Sequence, residues 1–582
     1  MATPKAVYSY PLCLLSLAVI PLLASCRNLE ETQERVDRNA YALIQEKSLA
    51  TLDAELGWNL EQSSDQLRKA IFEQQGHYIA TAASVAAADL PQVQGEGEAN
   101  YRQLNESQPL GLDLDRGIVL NLKSTLEVAA NNSRDYQSRK EDVFRAALAL
   151  DLARYDFGIK VDPASLESQF TENRSASSVV RGVGNGARLG LSKRSVTGAT
   201  FRTSVVADLV QLIGSKSASS LGISSDTSIS IPLLRGSGAH IAGEPLTQAE
   251  RNIEYELAEF NYYRSEFVIR VARSYYDVLR TLDQIKNAEE NYENLRASTL
   301  RVASIAESGR LPETQVDQAR QDEFRSRLRF IDAKSRYRER LDRLKMEIGL
   351  PVETELALDQ SDLDRLPVPS AASDGSLWQQ PEHTLYGLAF DNRHDFLTNY
   401  RRVEDAQRAV VIATDGLRAE LTLGASASAG GGRSVSSANS DDVYPNFNEG
   451  VFQGLISLDL PIDRRRESNR LRAAIISFNS RLRAYQLQED ELKFDIRSSL
   501  RNIERNLEDF TIQQGSLALA ERRVERANLL LEAGRINVRD LLEAEEDLVQ
   551  ARNALTDTRV DYQILLWSLE RNLGVFDVQK FI

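Results

Sequence analysis

From Arg464 to Ala533 the chain runs for 70 residues without a proline. As one α-helix, rising about 1.5 Å per residue, this stretch would be roughly 105 Å long, some three times the diameter of a small domain. Within it Ile496, Ile503, Phe510, Leu517, Val524 and Leu531 recur every seven residues, and Leu500 and Leu507 occupy the intermediate position. That pattern is the seam of a coiled coil, not the broad stripe of a globular helix. A compact core cannot enclose such an element, so the chain must build something elongated.

The neighbouring segments have the lengths needed to accompany it. A break at Gly534-Arg535-Ile536 leads into a helical pattern over the 36 residues from Val538 to Leu573, and a 33-residue pattern runs from Leu385 to Leu417. Stacked end to end, these two helices cover almost the length of the long one. The same plan occurs earlier, with Leu246–Ser308, a break at Gly309-Arg310-Leu311, and Glu313–Gly349. Before each long helix lies an alternating run ending in proline, at Ile229-Ser230-Ile231-Pro232 and at Leu458-Asp459-Leu460-Pro461. The two prolines are 229 residues apart and the two glycines 225 apart. Such spacing predicts an internal tandem repeat. Asn131 to Tyr136 matches Asp391 to Phe396 at an offset of 260, so the first copy carries 31 additional residues, within the Ser/Gly-rich segment Gln169–Ser220.

The predicted division is therefore a signal peptide at 1–25, an N-terminal helical extension and linker at 26–111, and a first helix–strand–strand–helix repeat at 112–350. An inter-repeat linker at 351–384, a second repeat at 385–575 and a C-terminal tail at 576–582 complete it.

The strands alternate with period two. Leu417, Ala419, Leu421, Leu423, Ala425 and Ala427 share one face, opposite Arg418, Glu420, Thr422, Ser426 and Ser428. Ile456, Leu458, Leu460 and Ile462 oppose Ser457, Asp459 and Asp463, and Ile229, Ile231 and Leu233 oppose Ser228 and Ser230. A further strand is expected within Ala187–Val206, making four per chain. Periodicity alone fits a transmembrane barrel wall and a half-buried soluble sheet equally well. Gly182–Gly186 has no following lysine to make a phosphate loop and reads as a flexible loop. Gly430–Gly432 reads as a hairpin loop, with Tyr444, Phe447 and Phe452 at a possible membrane interface.

Composition narrows the function. Charged residues make up 27% and aromatics 7%, with three tryptophans, which suits long exposed helices. A net charge of −15 disfavours nucleic acid as a partner. Four scattered histidines suggest no metal site, no cofactor motif is present, and no catalytic constellation appears, so an enzyme is not expected. The two cysteines are Cys13 and Cys26, which excludes a disulfide framework in the body of the chain. Lys5, the apolar run from Pro11 to Leu23 and the small residues after it read as an export signal, too short to span a membrane. It ends in Leu23-Ala24-Ser25-Cys26, which resembles a bacterial lipoprotein processing site. Cys26 would then carry lipid, and Arg27 after it implies sorting to the outer membrane.

Several motifs together carry a wider resemblance: Leu233-Leu234-Arg235-Gly236, Gln248-Ala249-Glu250-Arg251-Asn252, Ser308-Gly309-Arg310-Leu311 with Val316-Asp317-Gln318-Ala319, Asn392-Arg393-His394-Asp395, Leu460-Pro461-Ile462-Asp463, and Gly534-Arg535-Ile536 with Asp540-Leu541-Leu542-Glu543-Ala544. In this order, across about residues 114–575, they resemble the TolC family of outer-membrane efflux channels, in its lipid-anchored branch. The resemblance implies a homotrimer in the outer membrane, extending into the periplasm. Its fold would be α+β, with a shared 12-stranded β-barrel continuous with an α-helical coiled-coil barrel. It implies a passive export duct of a tripartite efflux or type I secretion system, opened by a periplasmic adaptor and an inner-membrane pump. Independently, four strands cannot close a barrel, and open strand edges are not tolerated in lipid. From another class, the alternative is a lipid-anchored periplasmic coiled-coil scaffold.

The resemblance also assigns sites. Asp540 and Glu543 match the acidic residues that ring the closed periplasmic entrance; three residues apart, they lie on one helix face. In a trimer their crowding would favour cations and raise some carboxylate pKa values. Asp540 is equally explained as a first-turn acid near an Asn537 cap, and the two roles are compatible. Gly309, Arg310, Leu311, Gly534, Arg535 and Ile536 would form the tip surface that meets the adaptor. The first copy departs from the pattern, with Pro312 after the turn and Gln315 where an acid is usual, which puts an ion-pair latch between the tips in doubt.

Overall fold

The computed structural model describes residues 29–52, 63–76, 78–81, 84, 118–174, 179–213, 219–309, 311–370, 377–435, 438, 450–460, 462–533 and 535–581. Cys26, Arg310, Tyr444, Phe447, Pro461 and Gly534 lie outside the described residues.

Helices α1 (Leu29–Leu52) and α2 (Ser63–Gln75) open the chain. Strand β1 (Ile118–Leu120) leads into α3 (Leu122–Asn132) and α4 (Arg134–Phe157). Four strands follow: β2 (Ile159–Arg174), β3 (Val179–Arg194), β4 (Thr200–Ile213) and β5 (Ser219–Pro232). The 64-residue α5 (Glu244–Glu307) then turns into α6 (Glu313–Glu347). After β6 (Leu356–Leu358), the second half runs through α7 (Glu382–Asn392), α8 (His394–Asp415), β7 (Glu420–Gly431), β8 (Gly450–Asp459), the 68-residue α9 (Arg465–Glu532) and α10 (Val538–Asn572).

The heptad seam does what its period requires. Ile496 and Ile503 are fully buried and Phe510 and Leu531 nearly so, with Leu517 and Val524 partly buried. The first part of α9 lies against α8 and its later part against α10. The larger core surrounds the middle of α5, where Phe267, Val271 and Tyr275 pack with Ile44 of α1, Ile71 of α2, Leu126 of α3, Leu150 of α4 and Leu344 of α6. The N-terminal extension is thus part of this core, and Lys47–Glu254 at 3.1 Å and Arg154–Glu46 at 3.0 Å fasten its flank. At the centre, Asp362 Oδ2 accepts from the Tyr275 hydroxyl at 2.8 Å and the Leu122 amide at 2.9 Å. Burial, reinforced by that carboxylate, raises the Tyr275 pKa.

Three expectations are corrected. Among the described residues six strands, not four, form one antiparallel sheet in the order β2-β3-β4-β5-β7-β8; a 12-stranded barrel from three chains does not follow from it. The segment Gly182–Gly186, expected as a flexible loop, lies in β3, and the expected strand within Ala187–Val206 is two strands joined by a turn at residues 195–199. Glycine weakens strands, yet here each glycine of 182–186 is paired in register between β2 and β4. The helix expected over Leu385–Leu417 breaks at Arg393, between α7 and α8.

At that break another segment's backbone comes close, and the same arrangement occurs twice. Gly574, at φ +74°, packs where a Cβ would come within 2.8 Å of the Asn392 backbone; Gly349, at φ +84°, packs where a Cβ would come within 2.0 Å of Asn132 O. In both places the asparagine side chain turns back to its own helix, Asn392 to Leu388 O at 2.7 Å and Asn132 to Val128 O at 2.8 Å. Each junction needs a left-handed residue with no side chain. Gly349→Ala and Gly574→Ala should each lower the thermal unfolding midpoint followed by helical ellipticity. Gly515→Ala, in open space within α9, should raise stability by about 0.5–1 kcal/mol.

Candidate functional site

Register sorts the six strands into two chemically different faces. Because side chains alternate, the pairs Val161↔Leu191, Leu191↔Thr203 and Leu189↔Val205 share a side, as do Phe201↔Ile229, Ile229↔Ala425 and Leu423↔Ile456. Between the row of Lys193 and the row of Arg181, which carry charges at its two ends, this face has no charged side chain. Its polar hydroxyls include Thr203 and Thr227, which bond each other at 2.8 Å. Many of its large apolar groups stand in the open: Phe452 is 85% exposed and Ile456 71%. Arg181 and Glu172, 3.0 Å apart, mark its outer end.

The opposite face holds the charges. Lys160, Asp162, Glu167, Arg188, Arg202, Asp208, Asp226, Glu420 and Asp459 all alternate with the apolar set. Asp162 Oδ1 accepts from the Ser192 hydroxyl at 2.9 Å within this face. One bare apolar side and one polar side across a whole sheet is the pattern of a membrane barrel wall.

The sheet meets the helices through a built joint. The buried Asp415 carboxylate at the end of α8 accepts from the Gly236 amide at 2.7 Å. Leu233 N–H donates to Leu421 O at 2.7 Å, which carries the β5–β7 pairing past the strand end. Deeper along α5, Arg251 reaches Asp405 at 2.8 Å and Tyr255 donates to the same carboxylate at 2.6 Å. Burial, with Asp405 beside it, pushes the Tyr255 phenol up to about 12. A cleft of about 920 Å³ opens here, lined by Arg139, Asp142, Gln248, Asn252, Tyr255 and Asp405 among others. It mixes both charge signs and presents no nucleophile–base pair. Among the described residues no group of His, Cys, Asp or Glu is arranged to hold a metal ion, and no helix is long and apolar enough to cross a membrane.

At the far ends of the hairpins, Leu311 and Ile536 pack against one apolar cluster that joins both tips, through Val302, Val316, Leu531, Val538 and Leu541. Gly309 is exposed with φ +76°, the left-handed end of α5, and Arg535 is exposed. The Asp540 carboxylate accepts from the Asn537 amide at 3.2 Å, so it caps α10, while remaining on the surface. Glu543, on the same face, is paired with Arg523 at 3.0 Å, and Arg523 also binds Asp547. The two carboxylates are thus neighbours with different partners. Arg523 was not singled out from sequence; the signal was an arginine on the facing helix at the height of Glu543, which requires knowing the hairpin register. Gln315 stands 3.5 Å from Asn537, a polar contact at the limit of hydrogen-bond length.

Along the seam between the two hairpins the apolar contacts of the tip cluster and those at Val560 and Ile564 are accompanied by polar ones. Asn287 donates to Asn553 at 2.8 Å, Thr556 to Asp283 at 2.9 Å, and Arg552 to Glu290 at 2.9 Å. Arg329–Glu546 at 3.2 Å and Arg301–Glu532 at 3.6 Å join the same hairpins nearer the tip. Arg280 lies 3.5 Å from Asp557 and 3.6 Å from Asp561. Desolvation raises the pKa of Glu545, Asp557 and Asp561, with Asn294 and Arg552 opposing it at Glu545 and Arg280 at the aspartates. A carboxyl whose folded pKa is raised favours the fold when protonated. The seam's contribution is therefore full below the unfolded values and declines as pH rises through the folded ones. Glu545→Gln should raise the unfolding midpoint by a few degrees at pH 8 and leave it unchanged at pH 4, checked by thermal melts at both pH values.

The fold has counterparts in known proteins. Residues 385–575 match the family model of outer membrane efflux proteins. Solved channels share the fold at low identity. VceC of Vibrio cholerae is 14% identical over 78% of this chain and 96% of its own, with a TM-score of 0.56. CusC is 17% identical over 78% and 92%, and CmeC of Campylobacter jejuni 14% over 79% and 88%, each with a TM-score of 0.55. No curated protein sequence matches the chain significantly. Residues 385–575 thus carry the outer membrane efflux protein signature, and the chain has the fold of the TolC-type outer-membrane channels.

Proposed function

We propose that this protein is a passive, trimeric export duct of the outer membrane that extends into the periplasm, built from a tandem repeat and opened by a periplasmic adaptor and an inner-membrane pump. The observation that carries this reading is the two-faced sheet: an exposed, uncharged apolar side opposite a charged one, on long helical hairpins. The apolar side faces lipid and the charged side faces a water-filled lumen. The hairpins form the periplasmic tunnel, and the apolar cluster around Leu311 and Ile536 holds the adaptor-facing tips together. Lipid on Cys26 anchors the N-terminus in the same membrane. The repeat is supported by the twin contacts of Gly349 with Asn132 and Gly574 with Asn392.

Asp540 and Glu543 from three chains form the acidic entrance. Both side chains are exposed, which suits a ring at a symmetry axis. Arg523 neutralises Glu543 within each chain, so the net field of the ring rests more on Asp540. The stretch of polar pairs between hairpins, Asn287–Asn553, Thr556–Asp283 and Arg552–Glu290, suits a tunnel that widens by moving one hairpin against the other there. Separating polar pairs into water costs less than exposing an apolar seam.

Replacing both Asp540 and Glu543 with Ala should raise the conductance of the closed channel in planar bilayers and weaken block by multivalent cations. Unchanged conductance and block would remove the gate assignment. Cys26→Ala should abolish lipid labelling while heat-resistant trimers persist in detergent, because the barrel itself holds the membrane. A Cys26→Ala protein that is a water-soluble monomer or dimer without channel activity would instead identify a periplasmic scaffold.

A further inference from the structure

We propose that the barrel wall is built from all six strands of each chain, so that three chains close 18 strands rather than 12; this rests on the trimeric duct reading above. The extra hairpin β2–β3 is continuous with the rest of the sheet. β3 pairs with β4 from Arg181↔Ile213 to Arg194↔Thr200, and β2 pairs with β3 from Ile159↔Lys193 to Arg174↔Val179, with one irregularity between Asp162 and Ser165. It also continues the chemistry of both faces. Val161, Leu166 and Phe170 extend the apolar side, and Lys160, Asp162 and Glu167 extend the charged side. A hairpin lying off the wall, in water, would not need an apolar side in register with its neighbours.

The joint at the helical end fits the same assignment. The turn at residues 195–199 brings the chain back to the helices before β4 begins. There Gly198, at φ +95°, is wedged where a Cβ would come within 2.7 Å of Gly236 O and 2.9 Å of Pro232. Both hairpins of the first half therefore start and finish at the same level.

The edges settle the closure. Among the described residues β2 and β8 each pair on one side only. In lipid a free row of amides and carbonyls must be paired, and the even strand count leaves β8 antiparallel to the β2 of a neighbouring copy. At equal tilt, 18 strands enclose about one and a half times the diameter of 12. The membrane section is then not the narrowest part of the duct, and the helical tip sets the size limit on cargo.

Inter-chain disulfides test this in the full-length protein. Ser168→Cys in β2 is combined in turn with a cysteine at each position from Gly450 to Asp459 of β8, with Ala207→Cys in β4 scanned against the same set and Ser168→Cys alone as control. Oxidised membranes are run on denaturing gels, and copy number is read from the mass of the untreated detergent complex. The expected result is a trimer with covalent chain-to-chain products from Ser168→Cys in at least one β8 register, and none from Ala207→Cys. A trimer linked through Ala207→Cys, or one that gives no Ser168→Cys product in any register, overturns the 18-stranded wall while leaving the duct intact. A monomer or dimer by mass overturns the duct reading itself.

Discussion

A sheet whose strands keep an uncharged apolar side in the open cannot rest in water without cost, and one with free edges cannot rest in lipid unclosed. Both conditions hold for the single chain. Phe452, Ile456 and Leu458 stand exposed on one face, and among the described residues β2 and β8 each lack a partner on one side. The rest of the molecule is arranged around that constraint. Asp415 and Gly236 fix where the sheet ends and the helices begin, and the long helices carry the chain away from the apolar band.

The helices divide their interactions by strength. Within each hairpin the contacts are apolar and buried, as at Ile496, Ile503 and Phe510, and they lose most if opened. Between hairpins the apolar contacts at the tip and around Val560 and Ile564 are interspersed with polar ones, such as Asn287–Asn553 and Arg329–Glu546. Groups of the second kind exchange their partners for water at small net cost. Buried Glu545 makes the contact between hairpins less stable as pH rises.

Much of this was legible in the chain before its coordinates. The helix spans agree closely, because a heptad and the absence of proline define a long helix locally: Arg464–Ala533 was expected and Arg465–Glu532 is found. The exposed Phe452 and the alternation of Leu421, Leu423 and Ile456 were readable for the same reason. The extra hairpin was not. Its β3 strand reads Arg-Gly-Val-Gly-Asn-Gly over 181–186, and glycine is tolerated there only because neighbours on both sides supply the ladder. The break at Arg393 was also hidden, and the backbone packed against it is that of Gly574, 181 residues away.

At the tip the same boundary recurs. The turn chemistry and the position of Asp540 next to Asn537 followed from local spacing, since a capping contact spans three residues. That Glu543 is held by Arg523, and that Leu311 and Ile536 share one apolar cluster, depended on how two hairpins lie side by side. Sequence alone determined the elements whose cause is periodic and local: long helices, alternating strands, two glycine-marked turns. Tertiary structure decided the number of strands in the sheet, the break in the shorter helix and the partners of the tip carboxylates, because each depends on contacts between residues far apart in the chain.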